Sequence, residues 1–149
     1  MSVLIIGNVV NFMACRLNNQ LIIGNSMTIK EFSSSVGNDS AIVAIALAMA
    51  GKEVSLMSIN KVDKKAKDIL LKNKVNMELS EEIEAEVTTI MIEEKEGRRT
   101  FITSEFVQIQ SDFYEKEYEL IYIDLYDENI NFIKNIWENH KCYFDKCTV

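Results

Sequence analysis

The sequence contains no proline in 149 residues, where ordinary usage would supply about seven. Gly/Ser-rich linkers and internal repeats are missing as well, so nothing in the composition marks a domain boundary. The length suits one domain with a sizeable core. No apolar run reaches the roughly 18 residues that cross a bilayer, which excludes a transmembrane helix. The opening "MSVLIIGNVVNFMACR" has no basic residues ahead of its apolar stretch, so no secretory signal is expected.

Histidine and cysteine are scarce. His140 is the one histidine, and Cys15, Cys142 and Cys147 make an odd set. Without an export signal this fits reduced thiols and a cytoplasmic location. As metal ligands these residues are mixed and badly spaced, so no metal is expected. A nucleophilic Cys/His pair would lack a third partner. Positive charge is also short: 16 Lys and Arg against 23 Asp and Glu give −7. That balance argues against a nucleic-acid surface. Lys61, Lys64, Lys65 and Lys67 read as a solvated helix face, and neither nucleic acid nor membrane is expected as a partner.

What is present is α/β patterning. Val3–Ile6 is a branched run that suits a strand buried on both faces. Residues 20–36 are β-formers interrupted by Gly24-Asn25, a turn between two strands. Residues 39–50 read as an Ala-rich helix, capped by Asp39 or Ser40 and ended by Gly51 in the left-handed conformation. Glu53–Ser58 is a strand. Residues 63–73 are an amphipathic helix with a stripe of Ala66, Ile69, Leu70 and Val75.

Further along, residues 86–104 are two β runs joined around Gly97. Leu120–Ile123 is a strand, 127–139 a helix and Lys141–Phe144 a last strand. Met49, Met57 and Met91 read as core filler, and Tyr114, Tyr118, Tyr122 and Tyr126 as packing. Strand–helix–strand alternation at both ends implies parallel βαβ units. The β pairs at 20–36 and 86–104 fall outside that rhythm. The expected architecture is therefore an α/β layer carrying a small β-sheet lid.

The stretch "SSSVGNDSAIVAIALAMAG" leaves two readings open. Gly37–Ser40 are a backbone cradle for ligand hydroxyls at a helix start, or a capped turn that only begins a buried helix. Asp124 and Asp127 flank a strand's C-terminal end, where α/β ligands often bind; helix capping is the plainer account of Asp127. Arg98-Arg99 read as a charged exposed turn.

Taken in order, these elements resemble the N-terminal half of the ribokinase-like (PfkB) sugar kinase family. "VLIIGNVVNFMA" is similar to its first strand, "IIGNSMTIKEF" to its lid entry, and "GNDSAIVAIALAMAG" to its Gly-Gly helix motif. "EVSLMSINKVDKKAKDILLKNKV" resembles the next strand, acidic turn and helix. "TTIMIEEKEGRRTFI" resembles the lid hairpin, and "LIYIDLYDENINFIKNIWENHKCYFDK" the strands and helix that close the first half. The resemblance implies one incomplete ribokinase-like domain over 1–149, with sugar- or nucleoside-binding residues at Asn11, Gly37, Asn38 and Asp39. It also implies a homodimer through the lid, with apolar Leu21, Ile23, Ile90 and Ile92 on one of its faces.

Departures accompany the match. The family's sugar-binding Asp falls on Phe12, its motif Asn on Ile42, its second Gly on Asn38, and its Gly-x-Asp on Lys61-Val62-Asp63. Each charged hydrogen bond contributes roughly 1.5–3 kcal/mol, so losing two weakens binding of a sugar by on the order of a hundredfold. The family's ATP and Mg site and its catalytic base belong to a second half, so no catalytic residue and no cofactor is expected in this chain. Two functions follow: the N-terminal part of a sugar or nucleoside kinase, or a non-catalytic remnant that binds or dimerises. A different small α/β enzyme would need a nucleophile, base or metal set that the sequence does not offer.

Overall fold

The computed structural model describes residues 1–78, 86–104, 118–125 and 134. The first strand, β1 (Ser2–Gly7), is buried along nearly its whole length. Its alternating side chains serve two faces. Val3 and Ile5 pack with Val54, Leu56, Ala41, Ala44, Ala66 and Leu70, while Leu4 and Ile6 pack with Met57 and Ile59. Such a run is what a strand covered on both sides requires.

Two residues later the chain enters a second sheet through β2 (Val10–Leu17), which turns back as β3 (Ile29–Gly37). Helix α1 (Asp39–Met49) then leads to β4 (Glu53–Ser58), α2 (Lys64–Lys72) and β5 (Val75–Glu78). The strands β6 (Val87–Glu93) and β7 (Arg99–Thr103) follow, and β8 (Leu120–Asp124) returns to the first sheet. The orders are β5-β4-β1-β8 and β3-β2-β6-β7, each four-stranded. The first sheet is parallel throughout. In the second, β2 pairs antiparallel with β3 and parallel with β6, and β6 pairs antiparallel with β7. This is an α/β layer with a small β lid.

Local chemistry explains most boundaries. Gly51 takes φ 78° after α1, the left-handed stop expected of glycine. Asp63 caps α2 by accepting from the Ala66 N–H at 2.6 Å. Gly97 turns at φ 79° between β6 and β7.

Several expectations are corrected. The run read as one first strand breaks at Asn8-Val9 into β1 and β2, because the chain changes sheets there. Residues 20–28 are not strand. Gly24 does turn at φ 87°, but inside the β2–β3 connection, so Leu21 and Ile23 lie off the lid sheet, and Ile23 is 96% exposed. Val75 belongs to β5 rather than to the α2 stripe, since Lys74 leaves the helix at φ 62°. Met49 is exposed, whereas Met57 is core. Apart from Lys134, which is helical, the expected helix at 127–139 lies outside the described residues, as do the expected strand at 141–144 and Tyr114, Tyr126, Asp127, His140, Cys142 and Cys147.

The crossing from β1 to β2 is fixed by a side chain from another loop. Asn60 is buried, and its amide meets both polar groups of Val9: Oδ1 accepts from the Val9 N–H at 2.8 Å and Nδ2 donates to the Val9 carbonyl at 2.7 Å. Ser58 in turn donates to the Asn60 carbonyl at 2.8 Å. An unpaired buried polar group costs about 1–3 kcal/mol. Asn60→Ala is therefore expected to lower unfolding stability by about 2–6 kcal/mol in urea titrations, since two such groups lose their partner. A loss under about 0.5 kcal/mol would show that Val9 finds other partners.

Candidate functional site

The carboxyl ends of β1 and β8 meet the start of α1. Gly7 is required there, because a Cβ would stand 2.7 Å from Ser40 Cβ and 2.8 Å from the Asp124 carbonyl oxygen. The Asn8 carbonyl accepts from Ser40 Oγ and, at 3.3 Å, from Asn38 Nδ2. Asp124 Oδ2 accepts from the Ser40 N–H at 3.0 Å and from Asn38 Nδ2 at 3.3 Å.

The cap expected of Asp39 or Ser40 is thus supplied differently. Asn38 holds the N-cap position without a side-chain cap bond, and the carboxylate of Asp124 arrives from a strand 84 residues away. A negative charge suits a helix N-terminus. Burial nonetheless pushes the Asp124 carboxyl up from its usual value; the Ser40 N–H opposes that shift and the charge of Asp39 adds to it.

Asn38 has φ 76° and ψ 157°, a region almost reserved for glycine and costing about 1–3 kcal/mol. Its amide bonds to Asn8 and Asp124 hold it there.

Above this corner the lid leaves a cleft of about 310 Å³. Val10 and Phe12 of β2, Thr89 of β6, and Phe101 and Thr103 of β7 line it from the lid; Asn38, Asp39 and Ile42 line it from α1. Register explains the lid's share. Phe12 pairs with Thr89 and Thr89 with Thr103, so one row of the sheet presents all three to the same face. The Thr89 and Thr103 hydroxyls are 3.0 Å apart and share a hydrogen bond.

The four residues named from sequence fall in three places. Asn38 and Asp39 line the cleft. Gly37 lies against the Phe12 ring: a Cβ there would stand 2.7 Å from Phe12 Cβ and 3.0 Å from Cγ. Asn11 is on the other face of β2, where its amide nitrogen donates to Asp63 Oδ1 at 3.2 Å and Oδ2 at 2.9 Å. On that same side Lys65 Nζ donates to the Ser34 carbonyl at 3.1 Å and hydroxyl at 3.0 Å.

Sequence reasoning did not find Thr89, Phe101 and Thr103. Alternation in "VTTIMIE" and "RTFIT" holds the signal, but only the strand register makes it usable. Arg98 and Arg99 pair with Glu94 at 2.9 Å and Glu93 at 3.9 Å in an exposed turn. Among the described residues no group of three or more His, Cys, Asp and Glu could hold a metal ion, and no helix is long and apolar enough to cross a membrane.

The layer, lid and cleft define a ribokinase-like fold, matching the N-terminal portion of such kinases. A ribokinase from Cryptococcus neoformans solved with ADP superposes at a TM-score of 0.65 with 16% identity over 81% of this chain and 41% of that one. The Thermotoga maritima ribokinase gives 0.58 and 14% over 70% and 36%. A Methanocaldococcus jannaschii nucleoside kinase gives 0.58 and 16% over 69% and 36%. The chain spans less than half the length of each. No protein-family model and no curated protein matches the sequence.

Asp124 allows a direct test of this corner. Asp124→Ala removes the acceptor for the Ser40 N–H and is expected to cost about 1–3 kcal/mol. Asp124→Asn keeps an acceptor and is expected to cost less. A carboxyl raised in the folded state binds its proton more tightly there than when unfolded. Its contribution therefore grows as pH falls through the raised value toward the usual 3.8. The stability of the parent relative to Asp124→Asn should rise between pH 7 and about pH 4 in urea titrations. A fall over that range would mean that the Ser40 bond outweighs burial.

Proposed function

We propose that this chain is the substrate-side portion of a ribokinase-type phosphotransferase. It holds a small hydroxylated ligand, a sugar or nucleoside, between the lid and the start of α1. ATP and Mg would be bound by residues outside these 149. One observation carries the reading: the cleft lies at the carboxyl end of a parallel sheet, where α/β proteins bind ligands, and a lid roofs it. The structural neighbours, two ribokinases and a nucleoside kinase, support the choice of reaction.

A second reading, a non-catalytic binding or dimerising module, is favoured by Phe12 against Gly37 and by exposed Ile42. Mg-ATP separates what the chain does alone. The purified chain is expected to transfer no phosphate to sugars or nucleosides and to gain no thermal stability from millimolar Mg-ATP. A ligand stabilises only in proportion to its occupancy, so a shift of several degrees would place a nucleotide site within these residues and overturn the proposal. Ligand-detected NMR supplies the positive arm: silence toward every hydroxylated ring would leave only the module.

For either reading we propose a homodimer through the lid. Its edge strands β3 and β7 expose Ile29, Phe32 and Ile102, and exposed apolar surface marks interaction sites. Sedimentation at high micromolar concentration should give a dimer that Phe32→Glu dissociates. A strict monomer would count against it.

A further inference from the structure

We propose that the cleft selects a ligand with a flat aromatic ring joined to a hydrogen-bond-donating edge, such as a base-bearing or aryl-bearing sugar, over a bare pentose or hexose. The inference rests on the proposal that this cleft is the substrate site, and it assigns Phe12, Phe101 and Ile42 as the residues that set specificity.

The lining divides in two. Phe12, Phe101 and Ile42 are large and apolar, and the latter two are each 58% exposed. Among the described residues no side chain fully covers that surface, so an occupant gains by covering it. Phe12 and Phe101 stand on one face of the lid, because Thr89 and Met91, their respective partners on β6, are two residues apart. Aromatic pairs add geometry-dependent attraction to area burial, which a flat ring collects and a puckered polyol does not. A sugar pressed against these side chains would leave hydroxyls without partners. Each such loss is worth about tenfold in affinity or more.

The polar remainder is small and one-sided. Asp39 and Ile42 are three residues apart on α1 and so share a face. Asp39 has no hydrogen bond or ion pair among the described residues, leaving its exposed carboxylate free to accept from ligand donors. The Thr89–Thr103 pair uses one hydroxyl proton internally and keeps the other to offer. This is provision for two or three polar contacts at one edge, beside an apolar wall. The volume, about 310 Å³, sits at the small end of ligand pockets.

The test is binding to the 149-residue chain, measured by calorimetry and saturation-transfer NMR with D-ribose, adenosine and phenyl β-D-glucopyranoside as probes. Adenosine or the phenyl glycoside is expected to bind at least about tenfold more tightly than ribose, with transfer strongest at the aromatic protons. Which of the two binds distinguishes a base from another aryl group. Phe101→Ala, at an exposed position, should weaken the aromatic ligand about tenfold and leave ribose unaffected. Phe12→Ala should do the same, and Asp39→Asn should weaken every ligand. Ribose binding as tightly as the aromatic probes overturns the selectivity while leaving the substrate site standing. Aromatic binding indifferent to both phenylalanine substitutions also overturns it. Failure of all three probes to bind removes both the selectivity and the site.

Discussion

The cleft depends on the clamp between Asn60 and Val9. The chain passes from one sheet to the other in two residues, and Val9 lies at the crossing with both backbone groups buried. Side-chain amides can stand in for a strand neighbour because they carry a donor and an acceptor at the spacing of a peptide. Asn60 does this from the turn after β4. The consequence is register. Side chains in a strand alternate, so a slip of one residue exchanges the two faces. With Val9 fixed, Phe12 faces α1 and Asn11 faces α2; a slip would reverse them. A bond 51 residues distant in sequence thereby sets whether the cleft presents a phenyl ring or an amide.

The second constraint is the close approach at Gly7. Only a missing side chain lets Ser40 and the end of β8 meet there. The helix start then takes its negative partner from Asp124 rather than from its own sequence. This arrangement leaves Asp39, the helix's own acid, free to face the cleft. Had Asp39 capped α1, its carboxylate would be spent on backbone N–H groups. Burial of Asp124, which raises its carboxyl, accompanies an exposed Asp39 that has no hydrogen bond or ion pair among the described residues.

How much of this was legible beforehand follows from the range of each signal. Gly51 and Gly97 act within a few residues, and the turns they imply are present; the helix read from residue 63 is present too, and the structure adds that Asp63 caps it. The lid hairpin 86–104 and the strands at 53–58 and 120–123 were legible from short β runs. The break at Asn8-Val9 was not, because the apolar pattern runs through it and the reason for breaking lies at Asn60. The α2 stripe ran on into Val75 because strand and helix are both apolar there, and only the left-handed Lys74 parts them. At the site, Asn38 and Asp39 stood in a recognisable helix start. Thr89, Phe101 and Thr103 owe their position to pairings between strands, which no local pattern encodes.

The back of the lid bears on how the cleft can change. Asn11 meets Asp63, and Lys65 meets Ser34, so the N-terminal turn of α2 grips β2 and β3 from behind. Asp63 also caps α2, which couples that grip to the helix itself. At the far end of the lid Arg16 and Arg99 pair with Glu31 and Glu93. Arg16, Glu31 and Arg99 are exposed and Glu93 is half-buried, and pairs near the surface contribute about 0–1 kcal/mol each. The lid is thus tied to the α/β layer at its base by the Asn60–Val9 clamp and the start of α2, whereas at its tip the strand ladders are supplemented only by charge pairs within the lid itself. On the proposed function, any motion that admits a ligand is expected toward the tip, on the Phe101 side, rather than at Phe12 beside the clamp.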